Sequence, residues 1–214
     1  PIFGYLTREE VLAIIGEPGD SWLSQRDHAL FLLMYNTGAR VSEIIGIKVG
    51  DVVLDASAAC VHLHGKGRKQ RSVPLWRSTV KAIRAWLHVN PQFESTAPLL
   101  PNRSGREMTR ANVTLRLALA VQHATESQPA LAKRKVSPHT IRHTTAMHLL
   151  QSGVDISVIA LWLGHESPVT THHYVEADMA MKERALARLH EPDSKILRYR
   201  APDSLLDFLK TLRL

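Results

Sequence analysis

The order of apolar and polar residues predicts α-helices over most of this chain. In LTREEVLAII, Thr7 is followed three residues later by Glu10, the pattern of a helix N-terminus with a capping box. The apolar run HALFLLMYNT ends at Gly38, a residue typical of helix C-termini, and a helical pattern resumes in RVSEIIGI. Ser137 and Pro138 are the signals of another helix start. We therefore expect a mainly α-helical chain.

The pattern changes from helical spacing to alternation near the first third of the chain. ACVHLH and RSVPL alternate, and the basic segment GKGRKQ between them contains two glycines. We predict a β-hairpin with a basic tip, and hence a mainly α fold with a small antiparallel β-sheet, the α+β class. Helices are expected again at 77–89 and 109–124, a loop at 125–137, and a short helix between Asp155 and Gly164.

Positive charge is concentrated in the middle of the sequence. Residues 56–154 carry 15 lysines and arginines against three acidic residues, a net charge of +12, whereas the remainder of the chain carries −5. Such a polarised surface attracts a polyanion, most simply nucleic acid. A solvated basic face without a partner is the alternative. The residues predicted to contact DNA are Arg68, Lys69, Arg71, Lys133, Arg134 and Lys135.

Other features of the composition bear on where the protein works. The single cysteine, Cys60, excludes a disulfide framework and fits a reducing cytosol. No apolar run approaches the roughly 20 residues of a membrane span, and no signal peptide is visible. We expect a cytoplasmic, nucleoid-associated protein with no membrane partner. Because the first residue is Pro1, we interpret the sequence as a fragment of a longer protein.

Two basic residues stand at positions that a phosphate could reach. Arg40 follows NTGA at a turn into a helix, where a guanidinium lies beside free N–H groups. Glu43, about one turn later, can hold Arg40 in place. Lys66 lies between two glycines at the predicted hairpin tip, which leaves room to enter a DNA groove. The plainer interpretations are an arginine in a surface salt bridge and a lysine in a solvated turn.

Further candidates lie in the second half of the chain. His139 and Arg142 are three residues apart in the first turn of a predicted helix and share a face. His165 stands at a helix end, and Tyr174 follows nine residues later, where a core position is the alternative. His139 and His143 are spaced for a metal pair, but a neighbouring carboxylate is lacking and Arg142 would repel a dication. We predict no metal and no cofactor.

Together these residues suit phosphodiester transesterification without a metal. The two arginines and His165 would neutralise the non-bridging oxygens of a pentacoordinate phosphorane. Tyr174 would attack phosphorus and form a covalent phosphotyrosine. Lys66 would protonate the leaving 5′-oxygen, while His139 would assist proton transfer to or from the tyrosine.

On these motifs the chain resembles the catalytic domain of the tyrosine recombinases, also called the phage integrase family. The matching segments, which run from Leu6 to about residue 190, are TGARVSEIIGI, GKGRKQRSVPL, SPHTIRHTTAMHLLQSGVDISVIALWLGH and TTHHYV. The intact HxxR motif and the gap of nine from histidine to tyrosine are those of simple bacterial members. The resemblance implies the family's catalytic-domain fold and the catalytic residues Arg40, Lys66, His139, Arg142, His165 and Tyr174, supported by Glu43.

The resemblance also implies an organisation and a function. Residues 1–190 would form the catalytic domain, and residues 191–203, which include Pro192 and Pro202, a linker. Residues 204–214 would form a C-terminal helix that docks onto a neighbouring protomer, with folding back onto its own domain as the alternative. The family's N-terminal DNA-clamping domain is expected to lie outside this fragment. The implied activity is site-specific DNA recombination or integration, as for mobile elements, through a 3′-phosphotyrosyl intermediate. The implied assembly is a homotetramer on paired DNA sites.

Three different functions stay open beside recombination. A type IB topoisomerase shares the tyrosyl chemistry, but His139 favours a recombinase because topoisomerases commonly have lysine at that position. A DNA-binding module without catalysis would show a damaged set of residues. A histidine-based metallohydrolase would need carboxylate ligands, for which Glu166 is the sole candidate near the histidine cluster.

Overall fold

Seven α-helices and a three-stranded sheet are formed by the residues that the computed structural model describes, which are 4–55, 58–65 and 70–164. All of them belong to one unit of the chain, residues 1–178. The helices are α1 (Arg8–Ile15), α2 (Trp22–Thr37), α3 (Val41–Ile45), α4 (Arg77–His88), α5 (Arg110–Ala124), α6 (Pro138–Gln151) and α7 (Ile156–Leu163). The strands are β1 (Val52–Val53), β2 (Cys60–His64) and β3 (Gln70–Pro74). The predicted mainly α fold with a small antiparallel sheet is confirmed.

The helix ends form where the sequence predicts them, because their signals are local. The Glu10 backbone N–H donates to Thr7 Oγ1 at 3.2 Å, and Thr7 N–H donates to Glu10 Oε2 at 2.8 Å, so the capping box of α1 is complete. Ser137 Oγ accepts from the N–H of Thr140 at the start of α6. Gly38 ends α2 in the left-handed conformation, with a φ of 56°.

The sheet has the strand order β1-β2-β3 and is antiparallel throughout. Val61 and Leu63 of β2 face Val73 and Arg71 of β3 in the paired register, and the three aliphatic side chains are fully buried. The hairpin prediction is confirmed for both strands, while its basic tip, residues 66–69, lies outside the described residues. β1 was not predicted, since two residues are too short to show a period.

Helix α2 lies at the centre of the core, packed against α1, α4 and α6. Its apolar residues are buried on every side, including Leu30, Phe31 and Leu33, which is typical of a helix surrounded by other elements. Part of the predicted 125–137 loop is wrong, because Pro129–Lys133 form a 3-10 turn that buries Leu131. No helix within the described residues is long and apolar enough to cross a membrane.

A carboxylate between two arginines joins α2 to α5 inside this core. Asp27 Oδ1 accepts from Arg26 Nη2 at 2.7 Å, and Asp27 Oδ2 accepts from Arg116 Nε at 2.5 Å. Arg26 also donates to the carbonyl of Pro101 and lies over the Trp22 ring. We call Arg26, Asp27 and Arg116 the core triad; the arginine side chains are 3% and 29% exposed.

Helix α6 fastens the beginning of the described chain. The Leu6 N–H donates to Thr144 Oγ1 at 3.0 Å, and Leu6 O accepts from His148 Nε2 at 3.0 Å. Because Nε2 carries the donated proton, Nδ1 of the neutral ring accepts from the Tyr35 hydroxyl at 2.7 Å. Burial lowers the pKa of His148 below its ordinary value of 6.5.

Candidate functional site

Arg40 and Glu43 begin helix α3, directly after the turn at Gly38. Glu43 Oε2 accepts from the backbone N–H of Arg40 at 2.7 Å, and Glu43 Oε1 lies 3.4 Å from Arg40 Nη1. The contact predicted between the two residues is therefore present. The Arg40 side chain nevertheless remains 47% exposed, so its guanidinium is open to an anion from solvent.

Arg71 of strand β3 holds the same carboxylate from its other side. Its Nη1 and Nη2 donate to Glu43 Oε1 and Oε2 at 2.8 and 2.9 Å, in the two-pronged geometry that suits arginine. Burial would raise the pKa of Glu43, but the hydrogen bonds from Arg71 and from the Arg40 N–H outweigh it and lower the pKa below 4.5. We call Arg40, Glu43 and Arg71 the site triad.

Arg142 approaches from helix α6, where its side chain is buried beneath the same region. Arg142 Nη1 donates to the Gly38 carbonyl at 2.6 Å, and Nη2 donates to the Leu163 carbonyl at 2.9 Å. These bonds fix the plane of the guanidinium between the end of α2 and the end of α7. His139 is exposed in the first turn of α6, three residues before Arg142.

Three arginines thus meet three consecutive carbonyls at the C-terminus of α7. Arg71 Nε donates to Trp162 O at 2.9 Å, Arg142 to Leu163 O at 2.9 Å, and Arg40 Nη1 to Gly164 O at 3.4 Å. The last carbonyls of a helix lack partners within the helix and carry its negative dipole end, so cations stabilise them. With Glu43 as the buried carboxylate among them, three positive charges face one negative charge.

Two glycines make this close packing possible. A Cβ on Gly38 would lie 2.6 Å from Leu163 Cδ2, and a Cβ on Gly164 would lie 2.7 Å from Arg71 Nη1. Both glycines also have positive φ, 56° and 65°, which a side chain would strain. A side chain at either turn would strain the backbone and would displace Leu163 or Arg71.

The remaining predicted catalytic residues lie outside the described residues. They are Lys66, His165 and Tyr174, together with the predicted DNA contacts Arg68 and Lys69. His165 directly follows Gly164 in the sequence, so the three arginines hold the segment that leads into it. Within the described residues, the structure brings Arg40, Glu43 and Arg142 together.

The basic residues before α6 are placed in different surroundings. Lys133 and Lys135 are exposed. Arg134 donates to the Glu10 carboxylate and to the Tyr5 carbonyl, so its guanidinium ties α1 to this loop. A role of these three residues in binding DNA stays a prediction.

A comparison with known families decides what kind of protein carries this arrangement. The model of the phage integrase family matches residues 4–181 of the 214. The chain belongs to the phage integrase family. The matched region of this phage integrase family member includes Arg40, Glu43, Arg71 and Arg142.

Individual relatives agree with this membership. The chain is 43% identical over 212 residues to y4rC of Sinorhizobium fredii, described as an integrase/recombinase, and the match covers 99% of this chain and 63% of y4rC. It is 42% identical over 160 residues to tyrosine recombinase XerC of Neisseria meningitidis, and that match covers 75% of this chain and 50% of XerC. The chain therefore spans between half and two thirds of the length of these relatives.

Solved structures share the fold. XerH site-specific recombinase, in a post-cleavage complex with palindromic difH substrate, superposes with a TM-score of 0.74 at 23% identity, over 88% of this chain and 54% of XerH. XerA recombinase superposes with a TM-score of 0.69 at 26% identity, over 87% of this chain and 66% of XerA. Both matches support the recombinase catalytic-domain fold.

The contacts of Arg71 were missed by sequence reasoning, which grouped this residue with the exposed basic tip. A signal was nevertheless present in the alternation of β3. Arg71 is two residues before Val73 and pairs with Leu63, so its side chain lies on the buried face of the hairpin. A charged residue in phase with buried aliphatic residues indicates an internal partner, which is Glu43.

Proposed function

We propose that this chain contains the catalytic domain of a site-specific recombinase that cleaves and rejoins double-stranded DNA without a metal ion. The observation that carries the proposal is the convergence of Arg40 and Arg142 on the end of α7, next to His165. One half-exposed guanidinium and one buried guanidinium that bond to neighbouring carbonyls suit a phosphodiester, whose non-bridging oxygens need charge neutralisation. The relatives named recombinases support the same activity.

The proposed reaction exchanges one phosphodiester bond for another. The Tyr174 hydroxyl attacks phosphorus, a bond to the tyrosyl oxygen forms, and the bond to the 5′-oxygen breaks. Lys66 gives a proton to the departing 5′-oxygen, and His139 assists removal of the phenolic proton. The 5′-hydroxyl of a second strand then attacks the 3′-phosphotyrosine and releases the tyrosine. The arginines and His165 stabilise the phosphorane in both steps.

Trapping in cells tests this proposal and supplies the DNA substrate. Cells that express the full-length protein are lysed in denaturant, and DNA attached to the protein is sequenced. We expect one recurrent site, attached through Tyr174 and lost in Tyr174→Phe, which should still bind DNA. A nicked duplex of that sequence, which we call the trapped-site duplex, then serves as the cleavage substrate. Attachment through Tyr199, or none at all, would contradict the proposal.

Excess EDTA tests metal independence with the same duplex. Cleavage should persist, because protein cations supply the charge that a metal would otherwise provide. Loss of cleavage with EDTA, restored by Zn²⁺ or Mg²⁺ at unchanged DNA binding, would favour a metallohydrolase. Mixing two labelled duplexes should yield exchanged products if the protein is a recombinase. A topoisomerase would only relax supercoiled DNA, and a binding module would do neither.

A 5′-bridging phosphorothioate tests the role of Lys66. Sulfur leaves without a proton more readily than oxygen does, so this substrate should rescue Lys66→Ala much more than Arg40→Ala or Arg142→Ala. Equal rescue of the three variants would show that Lys66 is not the general acid.

The assembly is proposed from the family and from the sequence beyond the described residues. Recombination between two sites needs several protomers, and we propose a homotetramer on paired DNA in the cytoplasm, associated with the nucleoid. Residues 204–214 carry an apolar stripe of Leu205, Phe208, Leu209 and Leu212, which would dock onto a neighbouring protomer. Deleting this segment should weaken assembly on paired sites while single-site binding stays nearly intact. A large loss of stability in the isolated monomer would contradict docking in trans.

A further inference from the structure

We propose that Arg71 is a positioning residue for strand transfer, which joins the hairpin of Lys66 to Glu43 and to the segment before His165. The inference rests on the proposed function. Its basis is that one guanidinium makes three hydrogen bonds of 2.8–2.9 Å to two separate elements, α3 and the end of α7. The Arg71 side chain is 14% exposed, so it serves as an internal link between elements, which we call the strut, more than as a surface cation.

The first connection of Arg71 fixes the orientation of Arg40. The Glu43 carboxylate accepts from both arginines and from the Arg40 backbone N–H, and its side chain is 3% exposed. Without Arg71, this buried carboxylate would keep one weak side-chain partner at 3.4 Å. The carboxylate would then turn toward Arg40 and draw its guanidinium away from an incoming phosphate.

The second connection fixes the end of α7. Arg71 Nε donates to Trp162 O, and its guanidinium packs so closely on Gly164 that a Cβ there would lie 3.0 Å from Arg71 Cζ. The next residue in the chain is His165. Loss of Arg71 therefore releases both the Glu43 carboxylate and the C-terminal end of α7. A displacement of about 1 Å at a reacting centre can cost roughly 100-fold in rate.

The third connection is covalent and leads to the hairpin tip. Arg71 lies in β3, next to Gln70, the first described residue after the segment 66–69. Its pairing with Leu63 aligns the two strands that bear this segment. Anchoring β3 to α3 and α7 thus sets the position from which Lys66 approaches the DNA.

Substitution by lysine separates a strut from a phosphate contact. Lysine keeps the positive charge and can bind a phosphate as a point charge, but it cannot donate from Nε and from a fork together. We expect Arg71→Lys and Arg71→Met to bind the trapped-site duplex within about 2-fold of the wild-type affinity, with an unchanged salt slope. Both should cleave about 10- to 100-fold more slowly at saturating DNA.

The matched control is the same pair of substitutions at Arg116, which also donates to a buried carboxylate. Arg116→Lys and Arg116→Met should lower the thermal midpoint and leave the cleavage rate at saturating DNA unchanged. If Arg71→Met fails to fold, Arg71→Lys alone decides. A wild-type rate in Arg71→Lys would overturn the proposal. So would weaker DNA binding by Arg71→Met, with a salt slope reduced by about one and an unchanged rate.

Hydrogen exchange in the free protein keeps this test separate from the proposed function. Arg71→Met should exchange faster in peptides that cover 156–164, while peptides that cover α1 should exchange as in the wild type. If the wild type forms no covalent complex, the proposed function fails, but the exchange result still tests the strut. Unchanged exchange in 156–164 would show that Arg71 holds nothing there.

Discussion

The core triad and the site triad each place one buried carboxylate between two arginines, yet their surroundings differ. In the core triad, Arg26 donates to Asp27 and to a carbonyl, and Arg116 covers the carboxylate from α5. In the site triad, Arg71 takes this internal role. The second arginine, Arg40, sits 3.4 Å from Glu43 and keeps nearly half of its side chain in solvent.

Under the proposed function, the exposure of the outer guanidinium, more than charge pairing, distinguishes the candidate site from the structural ion pair of the core triad. An arginine held firmly by a carboxylate is neutralised and stabilises the fold, whereas one held loosely retains its charge for a ligand. Arg40 also lies next to the helix end of α7, where Arg142 adds a further positive charge. The core triad has no such neighbour among the contacts of the described residues.

Truncating the outer arginine of each triad should give the largest contrast. Arg40→Ala should reduce cleavage of the trapped-site duplex by about 100- to 1,000-fold, because it removes a charged donor to the transition state. Its free energy of unfolding should fall by less than about 1 kcal/mol, since the Arg40–Glu43 distance is 3.4 Å and the Arg40 side chain is 47% exposed. Single-turnover cleavage and urea denaturation measure the two quantities.

Arg116→Ala is the matched control for that experiment. It should leave the cleavage rate of folded protein unchanged and lower the free energy of unfolding by about 1–3 kcal/mol, because Asp27 loses a partly buried partner. Equal losses of rate in both variants would remove the functional distinction between the triads.

Removing the carboxylate of the core triad should give the largest loss of stability. Asp27→Ala leaves Arg26 buried without its ion-pair partner, which should cost about 3–5 kcal/mol. The urea midpoint should fall with little change in slope, and the cleavage rate per folded molecule should stay the same. A stable variant with slow cleavage would mean that the core triad also acts on the site.

Acid should weaken the site triad through Glu43. Its pKa in the folded protein is below 4.5, so the stability it contributes is present above about pH 4.5 and is lost as pH falls through the lower folded pKa. Glu43→Gln should be less stable than the wild type at pH 7, and the difference should shrink as pH falls below 4.5. Thermal midpoints across this range measure it, and a constant difference would contradict the prediction.

A second acid effect arises outside both triads and has to be separated from that of Glu43. Burial lowers the pKa of His148, so its contribution to stability is present above about pH 6.5 and is lost as pH falls through the folded pKa. His148→Gln should abolish the loss of stability that His148 causes on acidification and should leave the loss caused by Glu43. Tyr35→Phe, which removes the donor to Nδ1, should cost about 1 kcal/mol at pH 7. No change in the wild-type profile between pH 6.5 and 4.5 would argue against it.

The sequence predicted the contacts between residues that lie close together in the chain. The capping of α1 by Thr7 and Glu10 spans three positions, and the contact of Arg40 with Glu43 spans another three. The alternation and capping patterns predicted the fold class, and the motifs together with the resemblance supplied the candidate catalytic residues. The two-residue strand β1 and the 3-10 turn before α6 were missed because each is too short to show a period.

The contacts of Arg71 lie beyond such local reasoning. Its partners Glu43 and Trp162 are 28 and 91 positions away in the chain, so the pairing becomes visible only after α3, β3 and α7 have packed together. The basic residues of the hairpin looked alike in the sequence. Arg71 differs from them by its position on the buried face of β3, next to the Glu43 carboxylate.

The fastening of Leu6 by α6 has a consequence for synthesis on the ribosome. Leu6 is fully buried, and its hydrogen-bond partner His148 is translated 142 residues later. At about 5–20 residues per second, this delay lasts roughly 7–30 s, during which the Leu6 carbonyl lacks its hydrogen-bond partner in α6. The backbone of Leu6 can therefore be fixed to α6 only after most of the described residues have been synthesised.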